Sequence, residues 1–132
     1  MKTIVTLALF ILTASATPQA LPSAPQSAAS PRILVQNRYY PKSGQLASVL
    51  ATRLEASAVR KKLGLSMGTV LLRQGDAGEG PAVIWECEYA TIEDRRADAA
   101  RAEAAPEFAV VQRKMRNLIL RFERANWELR GS

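Results

Sequence analysis

Between residues 33 and 129 the spacing of apolar residues switches repeatedly between a period of two and one near 3.6. Residues 33–40 run Ile33, Leu34, Val35, then Gln36, Asn37 and Arg38, then two tyrosines, and Pro41 ends what reads as a strand. Residues 44–63 repeat Leu46, Val49, Leu50, Leu54, Ala58 and Leu63 near helical spacing, with Ser43 placed to cap the helix and Gly64 to stop it. That spacing predicts a buried apolar stripe with Arg53, Arg60, Lys61 and Lys62 outside it. Residues 69–74 form a second strand, and the glycines and proline of 75–81 impose a reversal. In the third strand, 82–89, Val83, Trp85, Cys87 and Tyr89 face one way while Ile84, Glu86 and Glu88 face the other. Thr91 and Asp94 cap a second helix that reaches Ala104. Pro106 breaks or restarts it, and the restarted piece presents Phe108, Val110, Val111, Met115, Leu118 and Ile119. Residues 120–129, with Phe122 and Trp127, close the chain as a fourth strand, although 117–122 fits a helix nearly as well.

The order βαββαβ, with right-handed crossovers in both βαβ halves, predicts an α+β fold. It is the ferredoxin-like arrangement: a four-stranded antiparallel sheet with two helices on one face. The folded part, residues 32–130, is too short to cover the second sheet face as well. A second copy of the chain is the natural cover.

The residues before this domain are of two other kinds. Lys2 starts a leader, residues 4–12 are a nine-residue apolar run, with Thr6 its one polar member, and Ala14-Ser15-Ala16 offers a small-x-small cleavage pattern before Thr17. A spanning helix needs about 20 apolar residues, so residues 1–16 read as a cleaved signal peptide rather than a stable membrane anchor. Residues 17–31 hold four Pro, four Ala and three Ser without a charge, a composition that predicts a disordered linker. The expected product is exported, periplasmic or secreted after cleavage near Ala16.

Histidine is absent from the 132 residues, and there is one cysteine. A Ser-His-Asp or Cys-His nucleophile, a His-ligated zinc or haem and an intramolecular disulfide are all excluded. No metal and no cofactor are expected. Lys and Arg number 18 against 12 Asp and Glu, and Arg60-Lys61-Lys62, Arg95-Arg96 and Arg113-Lys114-Arg116 form basic groups. Acidic residues intermix on the second helix and no nucleic-acid motif is present, so solvated helix faces are expected and nucleic acid is not a predicted partner.

Tyr39-Tyr40-Pro41-Lys42-Ser43-Gly44 leads into the first helix, and Trp85-Glu86-Cys87-Glu88-Tyr89-Ala90-Thr91-Ile92-Glu93 leads into the second. Ala105-Pro106-Glu107-Phe108 interrupts the latter, and Glu123-Arg124-Ala125-Asn126-Trp127-Glu128-Leu129 ends the domain. In this order the motifs resemble the dimeric α/β-barrel superfamily, most closely its NIPSNAP-like branch, with antibiotic-biosynthesis monooxygenase-like proteins as relatives. The likeness spans residues 33–129. It implies a homodimer whose sheets face each other, and a small-molecule pocket between sheet and helices or inside the barrel. An acidic and basic pair expected on the first strand is replaced by Val35 and Asn37. Haem-degrading relatives bind iron through a histidine, which this chain lacks.

Two constellations are candidate pocket residues. Glu86 and Glu88 share a face that Arg38 can join; they can hold a polar ligand or shift one carboxylate's pKa for proton transfer, or they can be an ion-pair network at the dimer interface or a solvated sheet face. Asn37, Trp85 and Tyr89 can orient an aromatic substrate, or the two aromatics can simply be core beneath the helices, with Cys87 a small buried hydrophobe beside them. None is assigned as catalytic. The leading expectation is a non-catalytic binding or interaction module for a small apolar or aromatic ligand. The alternative is a cofactor-independent monooxygenase or isomerase. An enclosed cavity joining Asn37 or Arg38 to an aromatic wall favours the enzyme, and a barrel filled by side chains favours binding or a structural role.

Overall fold

The alternation read in the first strand sets the fold's two-sidedness. In β1 (Ile33–Pro41) Val35, Asn37 and Tyr39 are buried, while Gln36, Arg38 and Tyr40 are only partly covered. In the computed structural model, which describes residues 18–21, 31–76 and 78–131, β1 is followed by α1 (Leu46–Lys62), β2 (Thr69–Leu72), β3 (Val83–Tyr89), α2 (Ile92–Ala104), α3 (Pro106–Leu118) and β4 (Ile119–Glu128). The predicted leader and most of the predicted linker lie outside the described residues.

The sheet order is β2-β3-β1-β4, antiparallel throughout. That is the ferredoxin-like topology expected from the element order. Asn37 lies opposite Trp85 across β1 and β3, and opposite Arg124 across β1 and β4. A register shift at Tyr40/Pro41 lets β4 start directly from α3.

Local chemistry explains most boundaries. Gly64 takes φ +66°, and the Gly64 and Leu65 amides donate to the carbonyls of Lys61 and Arg60 at 3.1 and 2.9 Å. This pair of bonds is a Schellman closure of α1, which favours glycine at its left-handed position. The Thr91 hydroxyl accepts from the Asp94 amide at 3.1 Å and caps α2. Pro106 occupies the first turn of α3 after an extended Ala105, so the second helical region is two helices.

Two expectations about α1 need correction. Ser43 does not cap the helix. A turn from Lys42 to Gln45, closed at 3.0 Å with Gly44 at φ +73°, intervenes, and α1 starts only at Leu46. The predicted apolar stripe is only partly the buried one, for Val49 is buried and Leu50 and Leu63 pack against the core, but its other members turn outward. Leu46 and Leu54 are exposed, while Val49, Thr52, Arg53, Ala56 and Arg60 are buried. Their spacing also fits one helix face, and small Thr52 and Ala56 leave room for two arginine stems to pack flat. On α3, Phe108, Val111 and Met115 are buried as the spacing predicts, whereas Val110 is exposed.

The core has two parts. One lies between the sheet and the helices and contains Val35, Tyr39, Val49, Val83, Trp85, Cys87, Tyr89 and Met115. The other joins Ala56, Leu65, Ala102, Phe108 and Val111 where the three helices meet. No described element covers the opposite sheet face. There Leu34, Ile84 and Leu71 alternate with charged and amide side chains, and Trp127 is half exposed. No described helix is long and apolar enough to cross a membrane.

Candidate functional site

The inward residues of β1, β3 and β4 and the facing sides of the three helices bound a cavity of about 380 Å3. This falls in the size range of small-molecule pockets. Its walls are apolar and aromatic at the sheet side, with Val35, Tyr39, Trp85 and Phe122, and at the helix side, with Phe108 and Met115. Tyr39 and Phe122 pack as a tilted aromatic pair, with ring centroids 5.4 Å apart.

Two buried arginines of α1 meet one ring on β3. The guanidinium carbons of Arg53 and Arg60 approach the Trp85 ring centroid to 5.1 and 4.8 Å, within cation–π range. Trp85 is held there by the backbone beside it. A side chain on Gly68 would collide with the Glu86 carbonyl and with the edge of the Trp85 indole, so glycine is needed for this close approach.

Arg60 belongs to a closed network. It pairs with the buried Asp98 carboxylate of α2, and its Nε donates to the Ser66 carbonyl at 2.9 Å. Asp98 also accepts from the Tyr89 hydroxyl at 2.7 Å and from the Ser66 amide at 2.9 Å. Burial by itself would raise the Asp98 pKa. The bonds from Ser66, Tyr89 and Arg60 and the Arg60 charge outweigh it and hold the carboxyl below its ordinary value. Burial, followed by the bond to Asp98, pushes the Tyr89 phenol well above its ordinary value. Neither group is poised to exchange a proton near neutral pH. Burial likewise raises the Cys87 thiol, as for a small hydrophobe rather than a nucleophile.

Arg53 is different. Its NH1 donates to the Tyr39 hydroxyl at 3.1 Å, while its buried Nε and NH2 find no acceptor among the described residues. Across the cavity Arg124 Nε donates to Asn37 Oδ1 at 2.8 Å, fixing the amide of the buried Asn37.

The six candidate residues therefore divide between the sheet faces. Asn37, Trp85 and Tyr89 come together in the cavity wall. Arg38, Glu86 and Glu88 lie on the opposite face, and Arg38 does not reach either carboxylate. It donates to Gln36 Oε1 at 2.9 Å, Gln36 Nε2 donates to Glu86 at 3.0 Å, and Glu88 pairs with Arg32. The sequence reading missed Arg53, Arg60 and Asp98. The usable signal was the second helical face through Val49, Thr52, Arg53, Ala56 and Arg60, which competes with the more apolar one. Among the described residues no three of His, Cys, Asp and Glu come close enough to share a metal ion.

No protein-family model and no curated protein sequence matches the chain. Solved structures do. A NIPSNAP family protein from Agrobacterium tumefaciens is 19% identical, with a TM-score of 0.61 over 76% of this chain and 88% of that one. SnoaB, a cofactor-independent oxygenase from Streptomyces nogalater, is 16% identical, with a TM-score of 0.58 over 78% of this chain and 97% of its own. A dimeric protein of ferredoxin-like fold from Bacteroides fragilis is 13% identical, with a TM-score of 0.57 over 74% and 96%. The chain has the ferredoxin-like fold that NIPSNAP family and antibiotic-biosynthesis monooxygenase-like proteins share, as its motifs suggest.

Proposed function

We propose that the chain is an exported, homodimeric NIPSNAP-like domain that binds a small apolar or aromatic molecule between its sheet and helices, without transforming it. The observation that carries this reading is the cavity of about 380 Å3, walled by Trp85, Tyr39, Phe122 and Phe108. The titratable groups of its inner wall, Asp98 and Tyr89, are committed to each other and to Arg60, which suits holding a ligand better than moving its protons. Dimerisation is supported by the sheet face that no described element covers and by the dimeric state of the Bacteroides fragilis protein of the same fold. Export rests on the leader sequence alone.

Native mass spectrometry of the protein purified from its export compartment tests the reading in one measurement. The expected result is a dimer of chains beginning at Thr17 that retains a small organic mass. A monomer with an intact leader and a dry cavity would overturn it.

One observation favours a second reading. The cavity joins the amide of Asn37 to an aromatic wall, the arrangement expected of a cofactor-independent oxygenase, although its rim stays open to solvent at Arg116 and Arg124. Oxygen uptake on adding a panel of hydroxynaphthalenes, lost in Asn37→Ala, would establish that reading over simple binding.

A further inference from the structure

The cavity wall carries positive charge that it does not itself neutralise. Five arginines line it against two carboxylates, Asp98 and Glu103, an excess of three positive charges. Asp98 is already committed to Arg60. Arg95, Arg116 and Arg124 stand toward the rim, but Arg53 is only 4% exposed and pairs with no carboxylate among the described residues. A guanidinium taken out of water without a counter-charge destabilises a fold unless something bound repays it.

The two unmet donors of Arg53 are not arbitrary ones. Nε and NH2 lie along one edge of the guanidinium plane and present two parallel N–H groups, while NH1, on the other side, is occupied by the Tyr39 hydroxyl. A parallel pair of this kind is the fork that a carboxylate accepts through both oxygens. The Trp85 ring lies against the same guanidinium, and Tyr39 and Phe122 continue the aromatic wall beside it.

We propose that Arg53 is the anion-binding residue of this cavity and that the ligand is an organic acid, an aromatic body carrying one carboxylate. This rests on the cavity-binding reading above and narrows it from apolar molecules in general to apolar acids. The carboxylate takes the unpaired Nε/NH2 edge of Arg53, which is closed to water in the empty protein, so that binding turns this edge toward the cavity while the ring system lies among Trp85, Phe122 and Phe108. The rim arginines raise the local concentration of anions at the entrance.

The test is calorimetric titration of the full chain with two probes of one shape, a naphthalene carboxylate and the matching naphthalene methanol. The acid is expected to bind about tenfold more tightly or better, as a charge-assisted fork implies. Arg53→Met should erase that preference while leaving the alcohol's affinity within about threefold, since only the charged fork is removed. Arg53→Lys, which keeps the charge and loses the fork, should fall between, and it carries the comparison if Arg53→Met does not fold. Equal binding of acid and alcohol by the unaltered chain would overturn the anion site and leave the cavity reading standing. A preference for the acid that survives in both variants would remove Arg53 from the site. Failure of both probes to bind would overturn the anion site and the cavity reading together.

Discussion

Arg53 and Arg60 sit two turns apart on α1, are 4% and 5% exposed, and lie against the same indole, yet they are held in opposite ways. Arg60 is charge-paired: a carboxylate, a carbonyl and, at 3.4 Å, a phenol meet its Nε and NH2. Arg53 has one phenol and an unfilled edge. Burial alone therefore does not say what a charged side chain is for. The partners say it. A charge-paired guanidinium ties α1 to α2 and to the loop at Ser66, and the other keeps two buried donors that no described residue fills.

Breaking the charge-paired end should have the largest effect. Asp98→Ala strands Arg60 and is expected to lower unfolding stability by about 3–5 kcal/mol, read from urea denaturation. A change under about 1 kcal/mol, the scale of an exposed pair, would mean that the two arginines do not differ in kind. Gly68→Ala attacks their shared platform. Overpacking against the Trp85 edge and the Glu86 carbonyl should cost about 1–3 kcal/mol, seen as a fall in melting temperature. Arg53→Met should go the other way, with no loss and a gain of up to about 2 kcal/mol, because an uncompensated buried charge is replaced by an apolar stem. A clear loss of stability there would make Arg53 a strut like Arg60.

The pH response sharpens the same contrast most finely. Asp98, with its folded pKa held down, contributes stability that is present above its unfolded value of about 3.9 and lost as pH falls through the lower folded value. Tyr89, with its folded pKa raised, contributes stability that is present below about 10 and eroded as pH climbs beyond it. Unfolding measured across pH should thus show a plateau with an acid limb that Asp98→Asn flattens and an alkaline limb that Tyr89→Phe flattens. Neither limb should respond to Arg53→Met.

What the sequence revealed follows a physical divide. Gly64, Thr91, Pro106 and the glycines of 75–81 act on backbone within a few residues, so the element order and topology were readable from them. The alternation in β3 placed Trp85, Cys87 and Tyr89 on the face opposite Glu86 and Glu88, because a strand's period leaves no other choice. The start of α1 was not readable at Ser43, since a backbone turn around Gly44 took the place of a side-chain cap. The buried arginines were hidden for a different reason. Arg60 is tolerable inside only because Asp98 arrives from another helix, 38 residues along the chain, and no local pattern announces that meeting. Arg53 has only the Tyr39 hydroxyl and the Trp85 ring, and no carboxylate among the described residues to announce it.

The position of Trp85 has a practical consequence. The chain has two tryptophans, and they occupy opposite faces of one sheet: Trp85 beneath two cations, and Trp127 half exposed with its indole N–H on Gln36. The fold has in effect installed two separate lamps. Filling the cavity should change the colour and quenching of the first alone, while arrival of a second subunit on the outer strands should dim or shift the second. Replacing each in turn with phenylalanine would let one emission experiment watch ligand and partner independently.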